Sequence, residues 1–168
     1  HKEKIFRDTL QRQCSIDDAL ISGIMESPVE WNYRSRIQFK CNLSVDGKLE
    51  IGFYRFNSHV VIDVQSCPVA DPAFNQLLPE LRELLQRNSF ATQISQIDME
   101  IGSNEQVRIV LHCSGKTHTG LAESLMPLQQ RNGFSLFLQT GSKSTLRHIV
   151  GPRDLTIAVG SRPLQLAY

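Results

Sequence analysis

The residues able to do chemistry are thinly spread along this chain. Four cysteines, Cys14, Cys41, Cys67 and Cys113, stand far apart with no Cys-x-x-Cys pair. That spacing fits neither a zinc ribbon nor a disulfide framework. Cys14, Cys41 and Cys113 read as small buried hydrophobes. Cys67 has a different setting: it follows the β-branched run "VVIDV" and precedes Pro68, where a strand gives way to a helix. The histidines His1, His59, His112, His118 and His148 are scattered. His112 with His118 is no convincing ligand pair, and His59 and His112 at strand positions read as structural. No G-x-G-x-x-G, Walker, H-E-x-x-H or G-x-S-x-G motif occurs. The chain carries no recognisable complete active site, and no catalytic residue is assigned to it.

Binding chemistry is better represented. In "RIQFKCNL", Ile37, Phe39, Cys41 and Leu43 alternate with Arg36, Gln38, Lys40 and Asn42, the period of a strand with one apolar face. A second strand begins at Lys48. A two-residue Asp46-Gly47 turn would set Leu43 against Glu50 and mix the faces. A loop of Val45-Asp46-Gly47 with Gly47 left-handed pairs Leu43 with Leu49, Cys41 with Ile51 and Phe39 with Phe53, and keeps one face apolar. The other face then holds Arg36, Gln38 and Lys40 beside Gly52, Tyr54 and Phe56. Cations and amides interleaved with aromatics suit phosphates and unstacked bases. An ordinary solvated sheet face has the same composition.

The elements that position these groups follow from local pattern. A short helix is expected over residues 3–12, the hairpin over 36–56 and a third strand over 59–65. Asp71 as N-cap and Pro72 at the first helical position start a helix whose Phe74, Leu77, Leu78, Leu81, Leu84 and Leu85 form an apolar stripe. Strands over 94–101 and 106–113 are joined around "GSNE". A helix within 117–130 is bent or shortened by Pro127 and stopped by Asn132-Gly133. Strands follow over 134–139, 146–150, 155–159 and 164–168. The order β-β-β-α-β-β-α-β-β predicts an α+β fold with mainly antiparallel sheet and two to three helices. No linker or repeat divides the chain, so residues 1–168 read as one domain.

Composition bounds the partners. The chain has 168 residues, 40% hydrophobic and 21% charged, as in ordinary globular proteins. Its net charge of +1 is not that of a strongly basic nucleic-acid binder, so any RNA contact rests on a local patch. No apolar run approaches the roughly 20 residues that span a bilayer. "HKEK" offers neither an initiator Met nor a signal core, so a processed, truncated or excised chain is expected, with reduced thiols in the cytoplasm and no membrane partner.

The block Trp31-Asn32-Tyr33-Arg34-Ser35-Arg36, followed by "GKLEIGFYRFNSHVVIDVQSCPVADPAFNQLLPEL", resembles the RNA uracil-5-methyltransferases. Looser likeness continues through "RIVLHC", "GFSLFLQTG" and "LRHIVGPRDLTIAVG". The resemblance implies the central domain of an S-adenosylmethionine-dependent enzyme that makes 5-methyluridine. It implies that Cys67 is a single ligand to a 4Fe-4S cluster whose other three cysteines lie upstream of this domain, a feature of the 23S ribosomal RNA branch. The S-adenosylmethionine-binding catalytic domain, with its nucleophilic cysteine, is expected downstream, so this fragment alone is expected to be inactive. Arg34, Arg36 and Lys40 are then the expected contacts to ribosomal RNA. The structural reading of the arginines is pairing with acids such as Asp63 or Glu30. A stand-alone, non-catalytic RNA- or protein-binding module is the alternative to the enzyme fragment.

Overall fold

The computed structural model describes residues 1–87, 90–114, 119–141 and 145–166. Two compact units form, His1–Glu30 and Trp31–Tyr168. In the first, helix α1 (Lys2–Cys14) is followed by a 3-10 turn, Asp18–Leu20, whose N-cap Asp17 accepts the Ala19 N–H. Arg7 ties the two together, donating to Glu3 at 2.9 Å and to Asp18 at 2.8 Å. α1 buries none of its residues, and Ile5 and Phe6 are exposed.

The second unit starts from the hairpin. Strands β1 (Arg36–Leu43) and β2 (Leu49–Tyr54) pair Leu43 with Leu49 and Cys41 with Ile51, as the apolar alternation requires. Gly47 closes the loop at φ +74°, and the Phe39 and Phe53 rings lie 5.4 Å apart. Strand β3 (Val61–Asp63) is shorter than expected, because Arg55 and Val60 close a turn before it. Helix α2 (Pro72–Arg87) begins where Asp71 accepts the Ala73 N–H at 2.9 Å. Its stripe Phe74, Leu77, Leu78, Leu81 and Leu85 is buried, each side chain contributing roughly 1.5–3 kcal/mol by leaving water. On its far side Gln86 donates to the Gly47 carbonyl at 2.9 Å and accepts the Leu49 N–H, fastening the helix to the hairpin.

Strands β4 (Ile94–Ile101), β5 (Val107–Cys113), β6 (Ser135–Thr140) and β7 (Leu146–Val150) complete a seven-stranded sheet, ordered β3-β2-β1-β4-β5-β6-β7. Read in chain order with α2 and α3 (Thr119–Asn132), these strands give β-β-β-α-β-β-α-β-β, the α+β arrangement the sequence predicts. The pairing is antiparallel except between β5 and β6, which α3 joins as a crossover. α3 continues through Pro127 and stops at Asn132, with Gly133 at φ +68° donating to the Gln129 carbonyl. Thr117 and His118, where the sequence would begin this helix, lie outside the described residues. The remaining strands, β8 (Leu155–Val159) and β9 (Arg162–Leu166), form a separate hairpin. Of the last expected strand, residues 167 and 168 lie outside the described part. Both α2 and α3 pack their leucines on one side of the large sheet, against Ile37, Ile97, Met99, Ile109 and Leu136. The sheet's opposite face is exposed at Arg36 and Gln38 but buried further across, at Asp98, Arg108, Ser135 and Phe137.

Candidate nucleic-acid interface

Side chains on the face opposite the helices stand in rows across the strands, because paired residues share a face. Register sets Arg36 opposite Glu100 and Glu100 opposite Arg108. Glu100 forms an ion pair with Arg36, Oε1 lying 3.0 Å from Nε, and accepts from Arg108 Nε at 3.1 Å through Oε2, with a further bond from Arg108 Nη2. Arg108 is buried. The Arg36 side chain is 59% exposed and its carboxylate partner 14%, so Arg36 is the outward member. Two guanidiniums share one carboxylate.

The next row is neutralised more fully. Asp98 accepts from Gln38 at 3.2 Å and Gln96 at 2.6 Å, and His112 Nε2 lies 3.1 Å from its Oδ2. His112 thus has a structural partner, and His59 packs edge-on against Tyr54 at 5.3 Å. Lys40 donates to the Gln96 side-chain oxygen Oε1 and sits 5.5 Å from the Tyr54 ring centroid. Arg36, Gln38, Lys40 and Tyr54 are gathered on one side, as alternation predicts. The acids that organise them, Asp98 and Glu100, were not among the candidate residues. Their signal is the alternation of Gln96, Asp98 and Glu100 with Ile97, Met99 and Ile101 in β4. Arg36 pairs with neither Asp63 nor Glu30. Asp63 is taken by Arg82, with Lys48 3.9 Å away.

Arg34 lies just ahead of β1, in a segment paired with the chain around Cys67. Asn32 N–H donates to the Pro68 carbonyl and Arg34 N–H to that of Val69, both at 2.9 Å. Asp71 N–H donates back to Arg34 at 3.1 Å, and a bridge joins Arg34 with Ala70. The two blocks that carry the family resemblance, "WNYRSR" and "CPVAD", are thus neighbours in space. A lone cluster ligand that joins cysteines upstream of the domain is expected near the surface, but Cys67 is 8% exposed, within the hydrophobic cluster. The reason is local: Asn75 of α2 accepts the Cys67 N–H at 2.8 Å and donates to its carbonyl at 3.1 Å, drawing the residue under the helix. Among the described residues no group of three or more His, Cys, Asp or Glu side chains converges to hold a metal ion. The residues present do not by themselves fit an iron–sulfur cluster, nor does the sequence hold a glycine-rich loop for S-adenosylmethionine.

No protein-family model matches the chain. It is 30% identical over 135 residues to the 23S rRNA (uracil(1939)-C(5))-methyltransferase RlmD of Klebsiella pneumoniae, covering 80% of this chain and 30% of that protein. An uncharacterized RNA methyltransferase of Aquifex aeolicus is 26% identical over 161 residues, or 95% of this chain and 36% of the relative. Among solved structures, the Pyrococcus abyssi tRNA (uracil-54, C5)-methyltransferase in complex with S-adenosyl-L-homocysteine shares the fold. Its TM-score is 0.71 at 14% identity, over 99% of this chain and 42% of that one. The chain is a homologue of the RNA uracil-C5-methyltransferases, the family its early block resembles. It spans about a third of the length of these curated relatives.

Proposed function

We propose that this chain is the central domain of an S-adenosylmethionine-dependent 23S rRNA (uracil-5-)-methyltransferase of the cytoplasm, and that it binds the RNA substrate. Arg34, Arg36 and Lys40 contact phosphates. The observation that carries this reading is the outward, half-exposed Arg36, which meets Glu100 through Nε in a row where cations outnumber acids. Its terminal nitrogens are then available for a paired contact with phosphate oxygens. The homology to a 23S rRNA methyltransferase supplies the substrate class. The methyl donor and the catalytic groups belong to the rest of the longer protein, and the isolated chain transfers no methyl group. Cys67 is proposed as one of four thiolate ligands of a 4Fe-4S cluster there, on the likeness of Cys67-Pro68 alone. Its burial means that Cys67 must be uncovered or approached from the adjoining polypeptide.

The test uses charge removal rather than reversal, because a glutamate at position 36 would face Glu100. R36Q/K40Q is compared with the parent chain for binding to single-stranded RNA across a salt series. Each lost phosphate contact lowers the slope of log K against log salt by about 0.7, so a drop of about 1.4 is expected. In the longer protein the same variant raises KM for an RNA fragment. An unchanged slope and KM would make these side chains purely structural. For the cluster, Cys67→Ser in the longer protein removes the visible iron–sulfur absorbance; an unaltered spectrum ends that assignment.

A further inference from the structure

Trp31 is the chain's one tryptophan, and it is 60% exposed, with Tyr33 beside it at 53%. Large aromatic rings are ordinarily highly buried, and these two lie on a segment that is fixed rather than loose. Asn32 between them adopts φ +57°. Its amide, oriented by its surroundings, donates to the carbonyls of Ala70 at 3.0 Å and Pro68 at 3.1 Å. Together with the backbone bonds from Asn32 and Arg34 to Pro68 and Val69, this clamps the segment on both sides of Tyr33. Rings held this way pay little ordering entropy when something settles on them.

We propose that Trp31 and Tyr33 are a stacking platform for unpaired RNA bases, with Arg34 beside them to hold a phosphate or a base plane. The proposal rests on the reading that the chain binds RNA, and adds to it the form of RNA and the residues that grip the bases. Trp, Tyr and Arg also make protein hot spots, but the setting here favours nucleic acid. From Trp31 to Lys40 the chain has three cations and no acid. Within its own unit Arg34 has no carboxylate at ion-pair distance among the described residues. Every base has a π-face, so such a platform accepts single strands and rejects a duplex, whose bases are already stacked.

A single tryptophan makes intrinsic emission a reporter of this one site. The 168-residue chain is titrated at low salt with a single-stranded RNA oligomer, with the same oligomer fully duplexed, and with inorganic polyphosphate, while anisotropy of labelled RNA reports binding independently. The single strand is expected to quench Trp31 emission, and the duplex and polyphosphate to leave it unchanged. W31A and Y33A should each weaken single-strand binding by about 5- to 150-fold, the range for loss of one stacked base, while W31F stays within a few-fold of the parent. Binding by anisotropy with unmoved emission and a W31A affinity equal to the parent's would overturn the platform and leave the RNA-binding reading standing. Quenching by polyphosphate equal to that by RNA would also overturn it, since no base is then involved. No binding to any RNA would overturn both readings and leave the rings to a protein partner.

Discussion

Arg82 of α2 offers the sharpest test of how the helix is fixed to the sheet edge. Its guanidinium reaches across β2 and β3: Nη1 donates to Asp63 Oδ1 and to the Leu49 carbonyl at 3.2 Å, and Nη2 to the Val64 carbonyl at 2.6 Å. The two side chains are 14% and 22% exposed. Burial pushes the Asp63 carboxyl up, but the Ile51 N–H bond, the Arg82 bond and the charges of Arg82 and Lys48 outweigh it, and hold Asp63 below the usual carboxylate range. R82M keeps the apolar stem and removes the charge, leaving the carboxylate with the Ile51 N–H, the Gln65 amide at 3.3 Å and a lysine 3.9 Å away. Removing one partner of a buried pair costs about 3–5 kcal/mol, and the remaining lysine places this case near the lower end. At about 2–4 °C per kcal/mol for a chain of this size, Tm should fall by about 6–12 °C. Because the Asp63 pKa is depressed on folding, the pair's contribution is complete above the unfolded carboxylate pKa of about 3.9. It is lost as pH falls through the lower folded value. The parent–R82M difference in urea unfolding should therefore be large at pH 7 and shrink below pH 4, and D63N should cost much less in the R82M background than in the parent. A difference equal at pH 3 and pH 7, or additive single and double variants, would refute this account of the pair.

Two glycines separate conformational from steric demand. Gly47, at φ +74° with nothing within 4 Å of an added Cβ, should lose about 1–2 kcal/mol as G47V, the cost of a left-handed residue, with urea midpoints as the measure. Gly52 has ordinary φ, but an added Cβ would meet the Ile62 carbonyl oxygen at 1.8 Å, so even G52A should cost about 3 kcal/mol or more. The reverse ranking would show the hairpin edge to be misread. Thiol labelling at pH 8 should find Cys14 fast and the other cysteines slow until urea unfolds the chain. Burial pushes Cys41 up to about 12, against the opposing charges of Arg82 and Lys40, and Cys113 up to about 11. At pH 8 Cys41 would then be a thiolate in about one molecule in ten thousand. Labelling of Cys41 as rapid as that of Cys14 would contradict its burial.

Local chemistry made the hairpin and α2 legible in the sequence. Gly47 and the apolar alternation admit one register, and Asp71-Pro72 marks a helix start whichever strands lie beneath it. Partners across strands were not legible, since nothing local says which strand becomes a neighbour. Asp63 and Glu30 stand among the acids expected for the arginines. β1, however, gives its second edge to β4, and that choice puts Glu100 opposite Arg36 and leaves Asp63 to Arg82. The parallel β5–β6 pairing was hidden for the same reason. Cys67 fails to reach the surface because Asn75, a residue with no marked signal of its own, holds its backbone under α2. The same logic applies to the candidate interface. Counting Arg36, Gln38 and Lys40 along one strand overstates the charge on offer, because Glu100 lies opposite Arg36 and answers part of its charge. On the proposed reading, a domain with a net charge of +1 neutralises few phosphates, so its affinity for RNA would come largely from groups that salt does not screen, and exposed aromatic rings on a held segment are groups of that kind.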